Sequence, residues 1–116
     1  MNAPSCPTCS DWPIVLLRGL GVGTRCASGV VTSRDHDQAP GPYIYVATMT
    51  SPADVVALIR AEGIVTEQGD ILSHAAVISR ELDLACVVGT GTLDGLVRGV
   101  EVRVCSADGL VLGRRV

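Results

Sequence analysis

The chain has 116 residues, one domain's worth and enough for a single modest core; with Phe absent and aromatics at 3%, that core must be aliphatic. Net charge is −3 and all nine basic residues are arginine, so there is no basic stripe to neutralise phosphates, and a nucleic-acid partner is excluded on this reading. No apolar run reaches membrane-spanning length and no signal peptide opens the chain, so a cytoplasmic protein without a membrane partner is expected.

Residues 1–12, rich in Pro, Ser and Cys, read as a loose leader, and residues 13–116 as the domain. "PIVLLRGLGVG" predicts a strand running into a glycine turn, and "ASGVVTS" a second strand. "RDHDQAPGP" is a polar connector, in which His36 is read as solvated. "YIYVATM" is a strand of β-branched and aromatic residues. "TSPADVVALIRAEG" predicts the clearest helix. Ser51 is its N-cap, Pro52 and Asp54 suit the first turn, Val55, Leu58 and Ile59 form one stripe, and Gly63 is the stop. "IVT" follows as a short buried strand, then the loop "EQGDIL" and a second helix from Ser73 to about Leu82. "CVVG" is another buried strand, and "GVEVRVCS" and "GLVLGRR" form a closing hairpin across "ADG". Alternating strands and helices with a β-rich start and end predict a compact α/β domain of mixed sheet character.

Five cysteines make an odd count. Cys6 and Cys9 form a CxxC, but a zinc site needs four ligands, and no second CxxC or close Cys/His pair stands in the sequence to complete one. The pair is read as reduced bystander thiols, and no metal site is expected.

The chemistry concentrates in "GDILSHAAVISREL", residues 69–82. With Ser73 as N-cap, His74 is the first helical residue, beside the orphan N–H groups of the first turn. Those groups carry about half a positive charge, which favours an anion and the neutral ring with its lone pair. A neutral imidazole at a phosphate-binding helix end has the properties of a phosphoryl acceptor. Gly69 lets the backbone approach a phosphate closely. The ordinary alternative is a surface histidine with no role.

These residues resemble a known family. "GIVTEQGDILSHAAVISRELDLACVVGTG" is similar to the phosphohistidine motif of phosphoenolpyruvate-utilising enzymes, and "RGLGVGTRCASGVV", "TMTSPADVVALIRA" and "DGLVRGVEVRVCSADGLV" extend the likeness over about residues 15 to 113. The resemblance implies a swivelling β/β/α domain that carries a phosphoryl group on His74. It also implies that Thr66, Gly69, Ser73 and Arg80 support the phosphate. ATP or phosphoenolpyruvate and Mg²⁺ are expected on separately encoded partners, an ATP-grasp-type nucleotide-binding protein and an acceptor-site protein, with no cofactor bound by this chain. On this reading the chain is the carrier component of a phosphotransferase. The alternative is a non-catalytic binding or regulatory module that kept the fold.

Four positions depart from the family pattern. Asp70 replaces the second glycine of a Gly-Gly, "DLACVVG" lacks the family's proline and has Asp83 for its glycine, and Ser79 replaces the alanine before Arg80. A carboxylate facing a bound phosphate repels it by about 1 kcal/mol in a wet site, so Asp70 is expected to tune the chemistry.

Overall fold

Among the described residues, the aliphatic runs become eight strands: β1 (Ile14–Arg18), β2 (Leu20–Gly21), β3 (Cys26–Ser33), β4 (Tyr43–Ala47), β5 (Gly63–Thr66), β6 (Ala85–Val88), β7 (Glu101–Cys105) and β8 (Leu110–Gly113). They come from a computed structural model that describes residues 6–33 and 41–114; His36 lies outside these. The strands form one mixed sheet in the order β1-β8-β7-β3-β4-β5-β6-β2. β3, β4, β5 and β6 pair in parallel, and the remaining pairings are antiparallel. The parallel strands β4, β5 and β6 are buried at every position, as their near-continuous apolar sequences require.

The topology forces the sheet to curl. β1 and β2 stand at opposite ends of the strand order, yet a single residue, Gly19, separates them in the chain. The two ends must therefore meet at that glycine. Gly19 N–H donates to the carbonyl of Gly109 at 2.9 Å, and Val22 N–H donates to Cys86 O at 3.0 Å. The curl gives two cores. Ile44, Val46, Val65 and Val87 of the parallel strands pack with Val102, Val104 and Val111 of the antiparallel ones. On the other face, Tyr45, Ile64, Cys86 and Val88 pack under the helices through Leu58, Ala75 and Ala76. The layers are thus sheet, sheet and helix, as the resemblance implied.

The first helix departs from its sequence pattern. A 3₁₀ turn (Pro52–Asp54) precedes α1 (Val55–Arg60), and the helix ends where Ala61 turns extended at ψ 153°. The Ser51 N-cap holds, with Ser51 N–H donating to Asp54 Oδ2 at 2.8 Å. Gly63 is not the helix stop but the first residue of β5, paired with both Ile44 and Ala85. A Cβ there would stand 3.0 Å from the carbonyl of Ala85, so strand spacing sets this glycine. Of the expected stripe only Leu58 is fully buried, and Ile59 is exposed. A helix of under two turns touches the sheet along a single line, and Ala57 and Ala61 share it with Leu58.

α2 (His74–Leu82) begins and ends as expected. Its C-cap is Asp83, the one non-glycine residue with positive φ among the described residues (φ 56°). This explains the family glycine at that position, because the left-handed region costs an L side chain about 1 kcal/mol and glycine nothing. The Asp83 carboxylate meets Arg25 at 3.4 Å, but both side chains are largely exposed, so the pair contributes little. Asp83→Gly is expected to stabilise the fold by about 0.5–1 kcal/mol, read as a higher denaturant midpoint at unchanged slope.

From Cys6 onward the stretch read as a loose leader is packed. Cys9 and Trp12 are buried against Cys105, Leu110 and Leu112, and the Arg114 guanidinium stacks over the Trp12 ring at 4.2 Å. Among the described residues no helix is long and apolar enough to cross a membrane.

Candidate functional site

β5 ends at Thr66, and the loop from residue 67 to 72 delivers the chain to the N-terminus of α2. This loop is shaped by short-range bonds. Asp70 Oδ1 accepts from Leu72 N–H at 2.9 Å, closing a side-chain turn. Ser73 N–H and hydroxyl both donate to the carbonyl of Asp70, at 3.0 and 2.7 Å. Ser73 Oγ in turn accepts from Ala76 N–H at 3.4 Å, which makes it the N-cap the sequence predicts. Asp70 is therefore a turn former whose carboxylate already holds a backbone donor.

Gly69 has φ 132°, a conformation L side chains rarely adopt. A Cβ at Gly69 would also stand 3.1 Å from Ser73 Oγ, a tight contact that adds to the backbone requirement. The Gly89–Thr90 loop braces the same segment. Thr90 N–H donates to Thr66 O at 3.2 Å, and Gly91 N–H to Glu67 O at 2.9 Å. A Cβ at Gly89 would meet the carbonyl of Gly69 at 2.8 Å.

His74 is half-buried at the head of α2. Its Nδ1 lies 3.0 Å from the hydroxyl of Thr50, a buried residue in the loop after β4. That contact fixes the ring and leaves Nε2 as the nitrogen not held by it. When Nδ1 carries the proton and donates to Thr50 Oγ1, Nε2 presents its lone pair. Thr50 is a site residue that sequence reasoning missed. Its signal was position, a hydroxyl at the carboxyl end of a buried strand and just ahead of a helix cap.

The other expected residues gather around the same loop in different roles. Thr66 is fully buried, and its Oγ1 has no hydrogen-bond partner among the described residues. It sits beneath Gly69, 3.5 Å from where that residue's Cβ would be, so it underlies the loop and does not line open surface. Arg80 reaches back along α2 and donates from Nη2 to the carbonyl of Ile71 at 2.9 Å, tying the loop to the helix. Close to Thr50 and His74 in the chain, Met49, Ile71, Leu72 and Val77 are exposed apolar side chains. A cavity of about 250 Å³ lies elsewhere, lined by Thr24, Arg25, Arg80 and Asp83 among others, and does not include His74.

A model of the mobile domain of PEP-utilising enzymes matches residues 39–109, a span that contains all of this geometry. The chain belongs to that family. A phosphoenolpyruvate synthase of Pyrococcus furiosus is 41% identical over 102 residues, covering 84% of this chain and 12% of that protein. One of Deinococcus radiodurans is 43% identical over 100 residues, covering 82% of this chain and 13% of its own length. A probable phosphoenolpyruvate synthase of Methanothermobacter thermautotrophicus is 40% identical over 99 residues, covering 82% and 14%. The chain thus spans 12–14% of the length of these relatives. In solved structures, this mobile domain is similar to enzyme I, with a TM-score of 0.55 and 26% identity over 63% of this chain and 31% of the other. It shares its fold with aconitase X of Thermococcus kodakaraensis, with a TM-score of 0.58 and 18% identity over 83% of this chain and 95% of the other.

The "CPTC" pair does not stand alone in three dimensions. The register of β3 and β7 sets Cys26 opposite Cys105, and the first described residues bring Cys6 and Cys9 onto that pair. The fifth cysteine, Cys86, is apart from them under α2, where burial pushes its thiol up to about 11.

Proposed function

We propose that this mobile domain carries a phosphoryl group on Nε2 of His74, between a nucleotide or phosphoenolpyruvate site and an acceptor site that both lie outside these 116 residues. The observation that carries the reading is the His74–Thr50 contact at a capped helix N-terminus. Held through Nδ1, the ring directs the Nε2 lone pair at the donor's phosphorus. The N–P bond forms as the phosphorus–oxygen bond to the leaving group breaks, and that oxygen keeps the electron pair. On this reading the partial positive charge of the first turn of α2 favours the phosphoryl group on His74. The reverse attack by an acceptor oxygen returns the lone pair to Nε2.

The Mg²⁺ that phosphoryl transfer requires is assigned to the donor partner, an ATP-grasp-type protein on this reading. The exposed apolar rim of Ile71, Leu72 and Val77 supports docking, because a partner that covers it excludes water from the N–P bond. The second reading, a binding module without transfer, keeps the same surface and loses the chemistry. Intact-mass spectrometry after incubation with an ATP- or phosphoenolpyruvate-driven donor system separates them. The carrier gains one acid-labile phosphoryl group mapping to His74, and a module gains none.

Asp70 gives a graded test of the same site. Asp70→Asn removes the charge and keeps an oxygen for Leu72 N–H, whereas Asp70→Gly removes both. Asp70→Asn is expected to raise the phosphorylated fraction several-fold, about 1 kcal/mol. An equal gain in Asp70→Gly identifies charge repulsion as the whole cause. A gain in Asn alone shows that the turn contributes, and no gain in either shows that the carboxylate stands clear of the phosphoryl group.

A further inference from the structure

Four of the five cysteines converge, far apart in sequence and away from α2. Cys6 caps the 3₁₀ turn Pro7–Cys9 and Cys9 ends it, Cys26 opens β3, and Cys105 closes β7. The four sulfurs all lie within 4.8 Å of one another. Cys6 Sγ is 3.5 Å from Cys26 Sγ, which is 3.3 Å from Cys105 Sγ. None of the four is in a disulfide.

We propose that Cys6, Cys9, Cys26 and Cys105 form a tetrathiolate site for one zinc ion. Zinc–sulfur bonds of about 2.3 Å in a tetrahedron place the sulfurs about 3.8 Å apart, and six mutual separations within 4.8 Å fit one ion at the centre. Two disulfides need two close pairs and give no reason for all four sulfurs to meet. A polynuclear iron–sulfur cluster distributes its cysteines over several irons and spreads them wider than this.

The surroundings are those of a ligand set. Arg103 Nε donates to Cys9 Sγ at 3.2 Å, and its Nη2 to Thr8 Oγ1 at 3.2 Å. Cys6 Sγ lies 3.3 Å from the hydroxyl of Thr8. The Asp108 carboxylate accepts from Cys6 N–H at 3.1 Å, which locks the CxxC turn to the β7–β8 hairpin. Cys9 and Cys6 thus have N–H or O–H groups placed to orient a thiolate and spread its charge, as outer-shell partners of metal thiolates do. Arg103 offsets part of the net −2 charge of zinc with four thiolates. Trp12, Val15, Leu110 and Leu112 close the apolar side. On binding, four S–H protons leave to solvent and four Zn–S bonds form, with no change of oxidation state. The ion would clip residues 6–12 to the sheet, a structural role independent of His74.

The test uses the whole chain, expressed with zinc supplied and purified without chelator. Plasma mass spectrometry is expected to find one zinc per chain. In the zinc-loaded protein no thiol should react with a disulfide reagent. Chelation should release the cluster thiols, and Cys86 should react on unfolding. Cobalt(II) in place of zinc should give the intense d–d and charge-transfer bands of a tetrahedral tetrathiolate, a readout on the parent chain that needs no variant to fold. Restoring free zinc to a thousandfold above its dissociation constant should raise the thermal midpoint on the order of 15 °C over the chelated chain. Cys26→Ser should lose the zinc and Cys86→Ser keep it. Iron instead of zinc, five reactive thiols and no metal, or disulfide-linked pairs in the purified chain overturns the assignment.

Discussion

A His74→Gln chain is expected to gain no phosphoryl mass under conditions that load the parent fully, and Thr50→Val to load about 10- to 100-fold more slowly. The first follows from chemistry, since the glutamine amide offers no basic lone pair to attack phosphorus. The second follows from the ring's hydrogen bond, Nδ1 to Thr50 Oγ1 at 3.0 Å. Valine has nearly the same shape and fills the same buried space, but it neither accepts the Nδ1 proton nor holds the ring. Both tautomers and a range of ring angles then become available, and the fraction with Nε2 unprotonated and aimed at the donor falls. Thr50→Ser restores the hydroxyl and should recover most of the rate. Single-turnover loading at saturating donor separates this from weakened docking, because a tautomer effect lowers the limiting rate and leaves half-saturation in place. Loading of Thr50→Val at the parent rate would show that the helix terminus alone orients the ring.

The site was legible where its signals are local. Ser73, His74 and Gly69 lie within six residues of one another, and capping, helix polarity and backbone freedom act over that distance. The strands were legible for the same reason, as runs of β-branched residues between glycine turns. Thr50 was not, because it meets His74 across 24 residues through the side-by-side placement of the loop after β4 and the head of α2. Neither residue carries a mark of the other. The cysteines show the same limit in stronger form. Cys26 meets Cys105 across 79 residues, and that meeting depends on the register of two antiparallel strands. A one-residue slip would have turned the two side chains to opposite faces. Spacing along the chain therefore showed two neighbouring thiols where the fold gathers four.

The first helix misled for a different reason. Its capping signals, Ser51, Pro52 and Asp54, are real and are used. The length was overread because Gly63 carries a helix-stop signal while serving strand contact with Ala85. Glycine marks close approach as well as helix ends, and sequence alone does not distinguish the two. Asp83 is the reverse case. It occupies a left-handed helix end without glycine, so that end was set by packing of the chain into β6.

Gly21→Ala is expected to destabilise the domain by about 3 kcal/mol or more, while Gly23→Ala, two residues on, loses about 1 kcal/mol. The two glycines isolate two causes. Gly23 has φ 80° with nothing within 4 Å of a new Cβ, so its alanine suffers backbone strain alone. Gly21 is not in the left-handed region, but its Cβ would fall 1.8 Å from the carbonyl oxygen of Ser106 and 3.1 Å from Gly109 N. Both contacts are backbone, so no side chain can swing aside. This crossing is where the ends of the sheet meet, with Gly19 N–H bonded to Gly109 O and Ser106 Oγ accepting Cys86 N–H at 2.7 Å. Relief of the clash means parting β2 from the β7–β8 hairpin and opening the curl that buries Val87 against Val104 and Val111. Against a total stability of about 5–15 kcal/mol, a 3 kcal/mol loss lowers the thermal midpoint by about 12 °C, and by about 4 °C for Gly23→Ala. Denaturant melts of the three chains at equal zinc decide it. Equal losses for the two alanines would mean that the crossing yields readily and that the sheet is not closed by it.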